Sequence, residues 1–223
     1  MEIVLIIVII GILTTISLPK LKFSSEKFLT EQILMHLRYT QQLAMQDSKF
    51  NLGENWQKKR WTLVFANTKL STKSCNIDSD RSWKYSIYWD NSISGNLNSK
   101  QEVARNPLKT HMYLSSGWSG ISSSDCKFIS PELNIGKKYG VRNVVLEGGC
   151  KGGLSISFDE FGRPMMVVST TTGGGAKRGY DRLLKEDCKI NITTLDAQIL
   201  ININHRTGFT CAIDQETKKC KMD

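Results

Sequence analysis

Residues 170–179, TTTGGGAKRG, set three consecutive glycines ahead of two cations, a composition by which a backbone loop can cradle phosphate. A nucleotide-binding P-loop needs the spacing GxxxxGK[ST] between a strand and a helix, which this segment lacks. The chemistry left is looser. Lys177, Arg178, Arg182 and Lys185 face only Asp181 across residues 173–185, with Tyr180 interleaved. Cations and one stacking ring on a glycine-rich loop suit a polynucleotide backbone without reading its sequence. The competing reading is a solvated hairpin loop, the usual fate of a charged cluster.

Further basic groups are Lys58, Lys59 and Arg60, then Lys137, Lys138 and Arg142, then Lys218, Lys219 and Lys221, with Arg163 and Arg206 standing singly. The net charge of +9 over 223 residues favours polyanions, whether nucleic acid, anionic lipid or acidic glycan, without choosing among them. Catalysis finds little support. GxSxG and HExxH are absent, no Ser or Cys is tied to a His by a recognised pattern, and the adjacent carboxylates of 159–162 (DEFG) read as a strand-end turn. No enzymatic activity, cofactor or metal is expected.

Cysteines stand at 75, 126, 150, 188, 211 and 220, even in number and without a CxxC unit. Three scattered histidines (His36, His111, His205) do not supply a zinc site. An oxidising compartment with up to three disulfides is the simpler reading, against six buried thiols. The spacing of Cys211 and Cys220 suggests a strand end and a short return loop. Cys75, Cys126, Cys150 and Cys188 leave their pairing open.

At the N-terminus Ile3 to Pro19 carry no charge, at the lower limit of about 17 residues for a helix crossing a bilayer. A cleaved signal peptide would need a basic n-region and a small-residue cleavage site. A buried core helix would not place β-branched residues on every face. A plain anchor leaves Glu2 unexplained, because a carboxylate at the apolar tip is costly unless it is paired. Glu2 therefore suggests a positive partner on a neighbouring helix. Gly11, Thr14, Thr15 and Ser17 allow close helix approach, and Pro19 should kink the helix at its exit.

A glutamate opening such a run, with glycine nine residues on and proline seventeen on, resembles the start of type IV pilins and type II secretion pseudopilins. The family carries a short basic leader, cut by prepilin peptidase before the glutamate. Here Met1 alone precedes Glu2, and Lys20 and Lys22 bias the orientation opposite to the family's. Processing by that peptidase is expected if a leader exists, and a basic leader would restore the orientation. The resemblance implies a single-pass protein of the bacterial inner membrane with its bulk in the periplasm. It would later pack against other pilins or pseudopilins through the N-terminal helix and could reach the cell surface in a pilus. Glu2, Gly11 and Pro19 would be assembly residues, with Glu2 neutralising the N-terminal amine of an adjacent subunit.

Beyond Pro19, Phe28, Ile33, Leu34, Leu37, Tyr39 and Leu43 recur at mostly helical spacing. One long helix from about Ile3 to about Asp47 is expected, membrane-spanning in its first half (1–22) and amphipathic in its second. Strand-like runs follow at 60–66, 84–89, 141–147, 153–158, 163–170, 188–194, 197–203 and 208–214. Helix first and antiparallel strands after give an α+β class, pilin-like, with a globular part over 23–223. Residues 68–140 read as an elaborated insertion in that domain. Within the family, the segments 37–50, 156–164 and 199–209 resemble the GspH/FimT group of minor pseudopilins and minor pilins. Some FimT-type pilins bind DNA through basic loops, which makes Arg163, Lys177, Arg178, Tyr180, Arg182 and Lys185 candidate DNA contacts.

Overall fold

No glycine or proline interrupts residues 25–46, and they form helix α1 (Ser25–Gln46), with Glu26 favourably placed in its first turn. The computed structural model describes residues 25–47, 55–68, 75, 81–166 and 178–221. Glu2, Gly11 and Pro19, with the rest of the expected membrane half, lie outside the described residues. Among the described residues, no helix is long and apolar enough to cross a membrane.

The buried stripe of α1 is Leu29, Ile33, Leu34, His36, Leu37, Thr40 and Ala44. This corrects the expected stripe by one position at its start. Phe28 is 54 % exposed and Leu29 takes the core position, because Leu29, Ile33, Leu37 and Ala44 fall on one face at 3.6 residues per turn. Thr40, polar but fully buried, returns its hydroxyl proton to the His36 carbonyl at 2.7 Å.

Among the described residues, two four-stranded antiparallel sheets receive that face. The first, in the order β2-β1-β4-β5, contains β1 (Trp61–Ala66), β2 (Lys84–Trp89), β4 (Ser155–Phe158) and β5 (Pro164–Met165). The second, β3-β6-β7-β8, contains β3 (Asn143–Gly148), β6 (Cys188–Thr193), β7 (Gln198–Ile203) and β8 (Thr210–Ala212). The fold is α+β. Helix α1 touches β1 and β4 of one sheet and β7 and β8 of the other, so a single core lies between them. Period-2 burial shows most plainly in Ile190 and Ile192 of β6 and Ile199, Ile201 and Ile203 of β7. Each such side chain contributes roughly 1.5–3 kcal/mol by leaving water.

Strand bounds differ from expectation mainly at their ends. Of the run 163–170 only Pro164–Met165 is strand among the described residues, paired to Ser157 and Phe158. The 208–214 run shortens to Thr210–Ala212, since residues 204–209 form a turn closed by Gly208 N donating to Asn204 O at 2.8 Å.

The 68–140 region does more than decorate. It contributes β2, short helix α2 (Ile135–Tyr139) and a second small core of Cys75, Val103, Tyr113, Trp118, Ile121 and Ile129. Tyr113 is edge-on to Trp118 and Phe128, at 5.5 and 6.2 Å between ring centroids. Backbone bonds from Ile87 to Leu114, from Trp89 to Glu102 and from Ala104 to Ile87 then cover the outer edge of β2.

Three disulfides close the framework: Cys75–Cys126, Cys150–Cys188 and Cys211–Cys220. The last is the pair the sequence spacing suggested. It fastens the return segment, where Cys220 bridges Ile213, along the free side of β8.

Candidate functional site

The turn 159–163 between β4 and β5 is organised by one carboxylate. Asp159 is 2 % exposed and accepts from the Phe161 and Arg163 amides at 3.0 and 2.7 Å and from Arg163 Nε at 2.7 Å. Arg163 is thereby held in place, its guanidinium 5.2 Å from the centre of the Phe161 ring. Gly162 permits this turn with φ +76°.

The base of the glycine-rich loop is held equally firmly. Met165 bridges Leu183, Leu184 N donates to Pro164 O, and Gly179 lies against the Trp56 ring. Arg60 is 4 % exposed and ties these pieces together, donating to Gln57 O at 2.6 Å, Met165 Sδ at 2.7 Å and Gly179 O at 3.2 Å. Burial pushes its pKa down to about 10, with Asp159 and Glu160 acting in the opposite sense. Trp56, Gln57, Lys59, Asp159, Glu160 and Gly179 surround Arg60 in one crevice, so the turn that carries Arg163 and the loop that carries Arg178 meet there.

Of the candidate DNA contacts, Lys177 lies outside the described residues. Arg178 donates to Asp181 from Nε and from its backbone amide, both at 2.9 Å, and its guanidinium lies 4.7 Å from the centre of the Tyr180 ring. The hydrogen bond to Asp181 raises the Arg178 pKa further above its ordinary value. The fold refines the expectation of a ring and cations standing ready for a polynucleotide. Tyr180 is 54 % exposed, but one of its contacts is already its own arginine. Arg182 is half-buried, with its backbone carbonyl receiving Met166 N at 2.9 Å, whereas Lys185 is exposed. Asp159, Glu160 and Asp181 thus interleave with the cations and lower the local charge surplus.

Sequence reasoning missed a clasp beside this cluster. Gln41 of α1 donates from Nε2 to the carbonyls of Gly162 at 2.8 Å and Thr207 at 2.9 Å, joining one turn from each sheet to the helix. Three large apolar side chains flank it in the open: Phe161 at 69 %, Phe209 at 58 % and Met45 at 57 % exposure. The signal available was the pair of phenylalanines next to turn glycines, FG at 161–162 and GF at 208–209.

Elsewhere, His205 Nδ1 meets Asp187 at 2.7 Å, and Asn202 donates to the same carboxylate at 3.0 Å. Burial raises the Asp187 pKa, but hydrogen bonds from His205 and Asn202 outweigh it and leave the carboxyl below its ordinary range. The pair ties the β7–β8 turn to the start of β6. Among the described residues, no group of three or more His, Cys, Asp or Glu side chains is arranged to hold a metal ion. No family model matches the chain, and no curated protein or solved structure matches it significantly.

Proposed function

We propose that the chain is a minor pilin or pseudopilin, a subunit that helps build or prime a type IV pilus or a type II secretion filament. One junction carries the reading. Glu2, Gly11 and Pro19 keep the family's spacing inside an uninterrupted apolar run, and the chain then continues into α1, whose apolar face lies across antiparallel sheets. A charge at the tip of an apolar helix needs a partner there, and an adjacent subunit's N-terminal amine supplies it. The protein waits in the inner membrane with the disulfide-bonded part in the periplasm and is then drawn into a head-to-tail filament. Glu2 sets register in this assembly and performs no catalysis. The test is Glu2→Ala in the full chain. It should insert in the membrane but fail to enter filaments; normal incorporation overturns the role given to Glu2, and absence of the unsubstituted chain from filaments overturns the reading.

A second reading, DNA capture for uptake, draws support from the crevice that brings the turn of Arg163 to the loop of Arg178 and Arg182. It stands second because Arg163 and Arg178 are already engaged by their own carboxylates. A salt titration of oligonucleotide binding by the full chain in detergent decides it. Steep loss with salt, and further loss on Arg178→Ala with Lys185→Ala, supports capture; no binding at low salt ends it.

A further inference from the structure

A cleft of about 770 Å³ runs between the N-terminal half of α1 and the β7–β8 side of the second sheet. That size lies within the roughly 300–1,000 Å³ of clefts that bury a ligand. In a chain of net charge +9 its lining is acidic, five carboxylates (Glu31 and Glu216 among them) against Lys27, Arg38 and Lys221. Leu34, Ile199, Leu200 and Ile213 give it an apolar floor.

The clasp at Gln41 has the opposite character. Phe161, Phe209 and Met45 stand exposed, with Arg163 beside one ring and the exposed Arg206 in the same turn as Phe209. Cleft and clasp lie along α1 in that order, residues 26–38 lining the first and 41–45 meeting the second. At about 1.5 Å per residue their centres are roughly 15–20 Å apart along the helix.

We infer that these two surfaces bind each other between copies of this chain, the Phe161, Phe209 and Met45 end of one entering the acidic cleft of the next. Apolar side chains meet an apolar floor and the exposed Arg206 meets an acidic rim, the pattern that directs partner choice and register. The two surfaces occupy different parts of the chain, so the contact is heterologous and leaves one of each open for a further copy. A nucleic acid would suit the aromatic end alone and would leave the acidic cleft without a role. The inference rests on the filament reading and adds to it that copies of this chain stand next to one another.

The test uses the full chain in detergent, mixed from isotopically light and heavy protein, with a photoreactive benzophenone side chain at position 161. Mixed-isotope crosslinks from position 161 to residues 26–38 or 196–216 are expected. Crosslinks confined within one chain, or scattered over the surface, overturn the proposal. Arg206→Glu in the crosslinking copy should lower the yield about fivefold, and Glu31→Arg in the receiving copy should restore it. Failure of that rescue also overturns the pairing. The crosslink should survive Glu2→Ala. If it forms while the unsubstituted chain is absent from filaments, the contact stands and the filament reading falls. If Phe209→Ser abolishes oligonucleotide binding and no intermolecular crosslink forms, the aromatic end is a nucleic-acid surface and the proposal is overturned.

Discussion

Gly208 and Gly162, 46 positions apart in the sequence, pack so closely that a Cβ on the first would fall well inside 3.0 Å of the carbonyl oxygen of the second. Both have φ above +70°, and Gln41 donates to that same Gly162 carbonyl. Gly208→Ala therefore has to force the two turns apart and adopt a left-handed backbone. A loss of about 2 kcal/mol or more is expected in urea unfolding, well above the about 0.5 kcal/mol usual for surface substitutions.

His36 gives the fold a dependence on pH. It is 4 % exposed, with Nδ1 2.6 Å from the Tyr85 hydroxyl, which also accepts from Gln32 at 2.8 Å. Burial lowers its pKa from 6.5 to about 4. The neutral ring is the folded form, so the unfolded chain binds the extra proton first. This contribution is complete above pH 6.5 and disappears as pH falls through 6.5 towards about 4. Stability should drop by roughly 3 kcal/mol across that window. His36→Gln should flatten the same stretch of the stability profile.

Disulfide loops of different length should differ in value. Cys75 and Cys126 are 51 residues apart, whereas Cys211 and Cys220 are 9 apart. Replacing the first pair by serine is expected to cost about 4 kcal/mol and the second about 2.5–3 kcal/mol, by the entropy each returns to the unfolded chain. Guanidinium chloride midpoints of the two double variants measure the difference.

Arg60→Met keeps bulk in the crevice but removes the donors to Gln57, Met165 and Gly179. The carbonyls left behind should cost about 1–3 kcal/mol. Hydrogen exchange at the amides of Asp181 and Leu183 should accelerate, and unchanged exchange would mean that Arg60 does not anchor the loop.

Much of this fold is legible in the sequence where burial has a period. Ile199, Ile201 and Ile203 alternate with the less buried Gln198, Leu200 and Asn202 and form β7, and residues 84–89 form β2 over the expected span. The helix stripe was offset at Phe28 because adjacent apolar residues at 28 and 29 both satisfy a helical period, and only the sheets beneath choose between them. The small core around Tyr113 and Trp118 has no period at all; its members come from irregular turns. In sequence the candidate site is five cations and Tyr180, with Asp181 among them. Its carboxylate partners Asp159 and Asp181 lie four and three residues from the arginines they engage, yet sequence distance alone does not reveal that Asp159 is buried. Cys211 and Cys220 were legible because a short return loop brings them together, whereas the other two pairs need the finished sheets.

The disulfides also have a mechanical meaning. A chain pulled from its two ends can lengthen only where no covalent shortcut exists. The shortcuts here bypass segments of 51, 38 and 9 residues. At roughly 3.3–3.6 Å per extended residue, those segments are withheld from the pull even after every hydrogen bond has broken. Under load the oxidised protein behaves as three knotted lengths of cord, and its reach when torn open is set by its cysteines.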